Sequence, residues 1–280
     1  MMWASRWETP MLRFTRAGSS HVGLVRSGNE DSGFSGASLL LVADGVGGSA
    51  GGEVASATTA YVVAAEAMSR VGLRPAGVLE HAVAAANVQL ASGVVAQPEL
   101  TGMATTLTAV LTDGQRFALA HVGDSRGFVL RDQQLTRVTT DHTWVQKMQA
   151  EGHLDPAEVP FHPWRNVVLR SVNGDPLSVP DVVPLALREG DRVLLASDGL
   201  TDLVPEDRIE EILLATADDE DAADALVEAA LAAGGHDNVT AVLGTVTEGP
   251  AQAPDGLLFG ALCDPRNVVD PAAIRSDATA

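Results

Sequence analysis

The stretch LLLVADGVGGSAGGEVAS, residues 39–56, decides how this chain is read. Leu39 to Ala43 are five apolar residues in a row, the signature of a buried strand. They run directly into Asp44, and five of the next eight residues are glycine. The strand fixes the carboxylate rigidly. Gly45, Gly47 and Gly48 then permit dihedrals closed to other residues and let the backbone approach whatever Asp44 holds. From Glu53 to about Met68 an Ala-rich, glycine-free run predicts a helix.

The same local pattern recurs along the chain. ALAHVGDS ends in Gly123-Asp124, RVLLASDG ends in Asp198-Gly199, and GGHDNV sets Asp237-Asn238 just before an apolar run. A single aspartate in such a place is a turn former. Four of them at strand ends are another matter, because sheet ends converge and like charges held together repel unless they share cations. All these ligands are oxygens, and no His or Cys set has zinc spacing, so the pattern suits Mg²⁺ or Mn²⁺. Two such ions polarise a phosphoryl oxygen and acidify a bridging water. Arg26 closes the short apolar run HVGLVR (21–26), just before Glu30 and Asp31, and a guanidinium grips phosphate oxygens bidentately.

Further out, SGNEDSGFSG reads as a loop and residues 77–92 as a second helix. Residues 102–138 read as a meander with turns at Asp113-Gly114 and Asp132-Gln133. A short helix over 143–152 precedes a segment, to 178, without a firm pattern. Two strands then flank Glu189-Gly190-Asp191. Pro205 opens a helix to about Ala215, and DEDAADALVEAALAAG (219–234) is another, stopped by Gly234-Gly235. NVTAVLGTV is a closing strand. Residues 249–280 turn to Pro, Gly and Asp and read as a tail, within which GLLFGAL has the composition to dock. Strands in hairpins and helices in pairs give an α+β class, antiparallel sheets with helices packed outside.

The chain has 280 residues, 46% of them apolar, and a formal net charge of −19. That acidity excludes a nucleic-acid-binding surface. Cys263 is the single cysteine, so no disulfide forms within the chain and an intracellular setting fits. The start lacks an uninterrupted apolar core of the signal-peptide kind, and no apolar run suggests a membrane span. The expectation is a cytoplasmic monomer with no membrane partner.

Taken in order, GLVRSGNED, LLVADGVGG, GMATTLTAVL, LAHVGDSRGFVLR, LLASDGL and HDNVTAVL resemble the motifs of the metal-dependent serine/threonine protein phosphatases of type 2C, in their bacterial branch. The resemblance covers about residues 18–247, leaving 1–17 as a lead-in and 248–280 as a tail. It implies a sandwich of two antiparallel sheets flanked by antiparallel helix pairs, with a binuclear Mn²⁺ or Mg²⁺ centre at one end. By that resemblance Asp44 bridges both ions, the Gly45 carbonyl ligates the second, and Asp198 and Asp237 ligate the first. Asp124, with Asp198, helps hold a weaker third ion. Glu30, Asp31 and Asn238 stand behind the ligands, and Arg26 binds substrate phosphate. The implied reaction is hydrolysis of phosphoserine or phosphothreonine in proteins, by in-line attack of a metal-bridging hydroxide. Substrates of this kind make a Ser/Thr kinase or its targets the expected partners. About 143–178 is the family's variable flap. Where some members carry a histidine after the Asp-Gly pair, this chain has Val46, which leaves the leaving-group proton to water near Asp124 or to a flap histidine.

Rival readings are a catalytically silent phosphoprotein-binding module on the same fold and a phosphoesterase for small esters. GDSRG (123–127) also matches a serine-hydrolase elbow at Ser125, but a strand pattern follows where that motif needs a helix. His142 is read as structural or as a proton shuttle, and His236 as orienting Asp237. The acidic run 218–224 is a helix start, since it lacks the glycine and closing glutamate of a calcium loop. Trp144 and Trp164 line or cover the flap.

Overall fold

The structure, a computed structural model, describes residues 11–46, 51–250 and 255–272. In chain order it forms β1 (Met11–Phe14), β2 (Ala17–His21), β3 (Asp31–Gly36), β4 (Leu39–Val46), α1 (Gly52–Ser69) and α2 (Pro75–Ala96). The meander follows as β5 (Ala104–Thr105), β6 (Leu107–Thr112), β7 (Phe117–Val122), β8 (Arg126–Arg131) and β9 (Gln134–Arg137). Then come α3 (Trp144–Ala150), β10 (Asp181–Leu185), β11 (Arg192–Ala196), α4 (Asp198–Thr201), α5 (Glu206–Ala215), α6 (Asp219–Ala232), β12 (Val239–Gly249) and β13 (Gly256–Gly260).

The strands make two antiparallel sheets. One runs β1-β12-β11-β8-β9, with β2 also on β12, and the other runs β10-β7-β6-β4-β3-β13, with β5 on β4. Helices α1 and α2 cover the second sheet, and α6 covers the first with α5 beside it. This is the α+β sandwich with outer helix pairs that the sequence predicts. Side chains alternate along each strand, so each strand feeds two cores. Leu39, Leu41 and Ala43 face α1 and α2, whereas Leu40 and Val42 face the other sheet. In β11 Val193 and Leu195 face between the sheets, and Leu194 and Ala196 face the α5–α6 side. A fully buried leucine in such a layer contributes about 1.5–3 kcal/mol, which makes the register costly to slip. It also aims the residues that follow: Asp44 continues the Leu40–Val42 face, and Ser197 continues the Val193–Leu195 face.

Helix α1 has no polar side because it is covered twice, by the sheet and by α2 with the turn Ala261–Cys263. Helix α2 is long and apolar enough, by length and composition alone, to span a bilayer, and it packs against α1 and β7.

Several elements differ from expectation. DSGFSG is strand β3, wholly buried, not a loop. Its small residues fit a narrow gap between sheets, where a Cβ on Gly33 would stand 3.0 Å from Val242 Cγ2, and its Ser32 hydroxyl pairs with that of Ser56 at 2.9 Å. The first strand of the motif region is Ala17–His21, so Arg26 lies in an exposed loop instead of at a strand end. The two strands around Gly190 belong to opposite sheets. The lead-in supplies β1, which pairs with β12. GLLFGAL supplies β13, an edge strand on β3, followed by buried Ala261 and Leu262. Both turns of the meander form, with Asp132 and Gln133 at φ +51° and +64°, the left-handed pair of a tight hairpin.

Candidate metal and phosphate site

The edge of the sandwich where β4 and β11 end and β12 begins gathers the predicted carboxylates. Asp44 is held by its backbone: its N–H donates to Thr106 Oγ1 at 2.9 Å, and its carbonyl accepts from Thr106 N and Thr105 Oγ1, both at 2.8 Å. Asp31 stands directly opposite Asp44 in the β3–β4 ladder. The Asp44 and Asp198 carboxyls are close neighbours. Burial, followed by the charges of Asp198, Asp31 and Asp124, pushes Asp44 well above the usual carboxylate range. Burial likewise raises Asp198 to about 6, Asp31 to about 7 and Asp124 to about 8, with neighbouring carboxylates adding to each.

Close backbone approach explains two glycines here. A Cβ on Gly45 would collide with the Gly52 carbonyl and come within 2.8 Å of the Glu30 carbonyl. A Cβ on Gly199 would collide with the Asn238 carbonyl. Gly47 and Gly48 lie outside the described residues.

Asp237 is half-buried. One oxygen accepts from Asn238 N at 2.8 Å and the other from Arg26 Nη2 at 2.7 Å. That hydrogen bond is the main reason Arg26 is raised above its ordinary value. Asn238 is buried and staples the Arg26 loop: its amide donates to the carbonyls of Val22 and Gly28, each at 2.9 Å, and its oxygen accepts from Glu30 N at 2.8 Å. The Glu30 carboxylate lies against Gly52 at the start of α1, and burial, then Glu53, raises it. Asp31, 1% exposed, accepts from Ser197 Oγ at 2.8 Å through one oxygen, while the other has no hydrogen-bond partner.

All nine predicted site residues therefore lie in one region. Five neighbours were missed. Thr106 and Ser197 clamp Asp44 and Asp31 through the bonds above, and the Thr105-Thr106 pair within GMATTLTAVL marks the first of them. Asp202 lies beside Asp198 and Asp124, with Asp141 and Arg126 completing a small polar cavity. Its spacing of four from Asp198, which puts both on one helix face, was the available signal.

Among the described residues no group of three or more acidic, His or Cys side chains closes around a single point as a finished ligand sphere. Arg26 holds one oxygen of Asp237, and Asp44 and Asp198 crowd each other. The donor set nevertheless fits hard divalent cations. It is all oxygen, it contains a buried carboxylate oxygen without a partner, and its raised carboxyls are those that nearby positive charge would ionise. A cleft of about 590 Å³ between α2 and Gly174–Pro176 is lined by no titratable group.

Other candidates fall away. Ser125 is fully buried, hydrogen-bonded to Thr106 Oγ1 at 2.7 Å and followed by strand β8, which excludes the hydrolase elbow. His236 is exposed, and both oxygens of Asp237 bond elsewhere, so it does not orient that carboxylate. Asp218 caps α6 by accepting from Glu220 and Asp221 N–H groups, as the helix-start reading requires. Trp144 stacks on His162 and meets Trp164 edge-on, each with centroids 4.8 Å apart, so the three rings pack together within the 143–178 segment.

The sandwich and its edge of carboxylates can be set beside known proteins. A family model for protein phosphatase 2C matches residues 20–233. The chain belongs to the protein phosphatase 2C family. It is 42% identical over 254 residues to the serine/threonine protein phosphatase PstP of Mycobacterium tuberculosis, covering 91% of this chain and 49% of that protein. It is 31% identical over 230 residues to the serine/threonine phosphatase Stp of Listeria monocytogenes, covering 79% of this chain and 91% of that one. The PstP catalytic domain, solved in complex with two manganese ions, superposes with a TM-score of 0.78 at 42% identity, covering 84% of this chain and 99% of that domain. The chain thus spans about half the length of the mycobacterial relative it matches.

Proposed function

We propose that the chain hydrolyses phosphoserine and phosphothreonine in proteins and that the carboxylate edge holds two Mn²⁺ or Mg²⁺ ions, with a weaker third. The observation that carries the reading is a set of carboxylates from separate strand ends, crowded together and raised by burial and mutual repulsion, beside an exposed arginine. Bound there, the ions supply Lewis-acid polarisation of a phosphoryl oxygen and a more acidic water. Asp44, Asp198, Asp237 and the Gly45 carbonyl are the proposed ligands, and Asp124 with Asp198 holds the third ion. Asp31 and Glu30 stand behind them, and Asn238 fixes the loop that presents Arg26 and Glu30.

Arg26 has 52% of its side chain exposed and shares its fork with Asp237. A phosphate group competes for that fork, and a cation competes for the same Asp237 oxygen, so substrate and ion favour each other's binding. Val46 supplies no proton at the position after Gly45. The substrates we propose are phosphorylated Ser/Thr kinases or their targets, met by a cytoplasmic monomer; the free, exposed Cys263 fits that compartment. A phosphothreonine peptide incubated with Mn²⁺, with Mg²⁺ and with chelator tests the reading. Phosphate release should need metal and vanish in Asp237→Asn; equal release in chelator contradicts the proposal.

A further inference from the structure

His142 stands at the head of the 143–178 segment, with 9% of its side chain exposed. Its backbone N–H donates to the Gly123 carbonyl at 2.8 Å, and its Nδ1 accepts from Gly123 N at 3.0 Å. Gly123 takes φ +110°, open to glycine. Because Nδ1 accepts, the neutral ring carries its proton on Nε2. Nε2–H then donates to Asp181 Oδ2 at 3.0 Å, at the start of β10, and the Arg170 guanidinium, drawn in by the same carboxylate, sits beside it with Nη1 2.8 Å from Nε2. Arg170 Nη1 binds the other Asp181 oxygen at 2.9 Å, and its Nη2 donates to the Val179 carbonyl at 2.7 Å.

The segment returns to the same residue by its backbone, with Leu169 N donating to the His142 carbonyl at 2.7 Å and Trp144 N to the Val167 carbonyl at 2.9 Å. His121 packs against the ring at 4.8 Å and is itself bonded to Thr108 and the Thr140 carbonyl. Burial lowers both histidines, consistent with a neutral pair. With both nitrogens engaged in this way, His142 is not directed at the carboxylate edge as a proton shuttle.

We infer that His142 is a positioning residue with two separable tasks: Nδ1 sets the Gly123–Asp124 peptide, and so the Asp124 carboxyl, while Nε2 anchors the 143–178 segment through Asp181 and Arg170. The first task rests on the proposal that Asp124 is a metal ligand. Second-sphere contacts of this sort change metal affinity by about 10–100-fold.

The test uses the whole chain and two shape-conserving variants beside His142→Ala. An Asn side chain carries a polar atom near the place of Nδ1 and cannot reach Asp181; a Gln side chain does the reverse. Mn²⁺ binding is followed by calorimetry, and trypsin cleavage at Arg165, within the segment, reports its anchoring. His142→Gln should weaken the least tightly held Mn²⁺ by roughly tenfold while leaving cleavage near the wild-type rate. His142→Asn should keep Mn²⁺ affinity and speed cleavage about fivefold, as a locally loosened segment does. His142→Ala should do both, with KM for a phosphopeptide rising more than kcat falls. If Asn and Gln change both readouts together, or neither, the inference is wrong. A wild-type chain that takes up no Mn²⁺ overturns the metal reading itself and, with it, the first task. The cleavage rates still judge the second.

Discussion

At its N-terminal end β11 begins with Arg192, beside Asp191; at its C-terminal end it runs through Ser197 into Asp198. Both ends bury carboxylates. Around the first, Asp191 accepts from Arg131 Nε and Arg188 N, each at 2.7 Å, and those bonds outweigh burial and hold it below its ordinary range. Asp219 accepts from Arg192 Nε at 2.6 Å and from Thr245 N at 3.0 Å, and Arg192 spends its remaining donors on the carbonyls of Leu213, Thr216 and Asp218. Around the second end, Asp198 meets Asp44, and Asp31 leaves one oxygen unpartnered. The chain neutralises its buried acid with its own arginines where the role is structural. At the other end it leaves the acid to be neutralised from outside, which is what a cation site requires.

The comparison predicts opposite responses to the same chemical change. Asp44→Asn should lower phosphopeptide turnover by more than the roughly 100-fold upper range for outer contacts, while metal-free thermal stability stays equal or rises because a repulsive charge is gone. Asp219→Asn should do the reverse: stability falls by about 3 kcal/mol, as when one partner of a buried pair is removed, and Mn²⁺ affinity is unchanged. Chemical denaturation and calorimetry on the two variants check both halves.

The pH response differs between the ends as well. Asp31, Asp124 and Asp198 are raised in the folded state, so the fold binds more protons than the unfolded chain between about pH 4 and pH 8. Their contribution to metal-free stability is full below the ordinary carboxylate range near pH 4 and is lost as pH rises through 6 to 8. Mn²⁺ displaces those protons, so its affinity should climb across the same interval. Melting curves with and without Mn²⁺ at pH 5.5, 7 and 8.5 should therefore diverge as pH rises; parallel curves would separate the carboxylates from metal binding. The smallest effect expected is for Ser197→Ala, which removes a hydroxyl bonded to Asp31 and the acceptor of Thr240 N. It should cost about 1–2 kcal/mol, with a modest loss of Mn²⁺ affinity.

Much of the site was readable because strand periodicity is a strong signal and each aspartate interrupts it at its end. Leu39 to Asp44 told both the strand and the direction of the carboxylate. The Arg26 loop was harder: Leu24 and Val25 are apolar yet exposed, so HVGLVR mimics a strand. Strand β3 was hidden for the opposite reason, since Ser and Gly carry weak strand propensity and its ladders to β4 and β13, the tight gap against β12 and the Ser32–Ser56 bond hold them extended. Thr106 and Ser197 act through long-range pairings that no local window displays, whereas Asp202 lies one helical turn from Asp198 and was there to be read. The docking of Gly256–Gly260 likewise depends on an edge of β3 that the sequence does not announce.

The most direct test is calorimetric titration of Mn²⁺ into the wild-type chain, Asp44→Asn and Asp219→Asn at pH 7.5. The account predicts at least two ions for the wild type and for Asp219→Asn, and loss of the tight ions in Asp44→Asn. Equal uptake by all three would contradict it, because the ions would then be indifferent to which end of the sandwich keeps its charge.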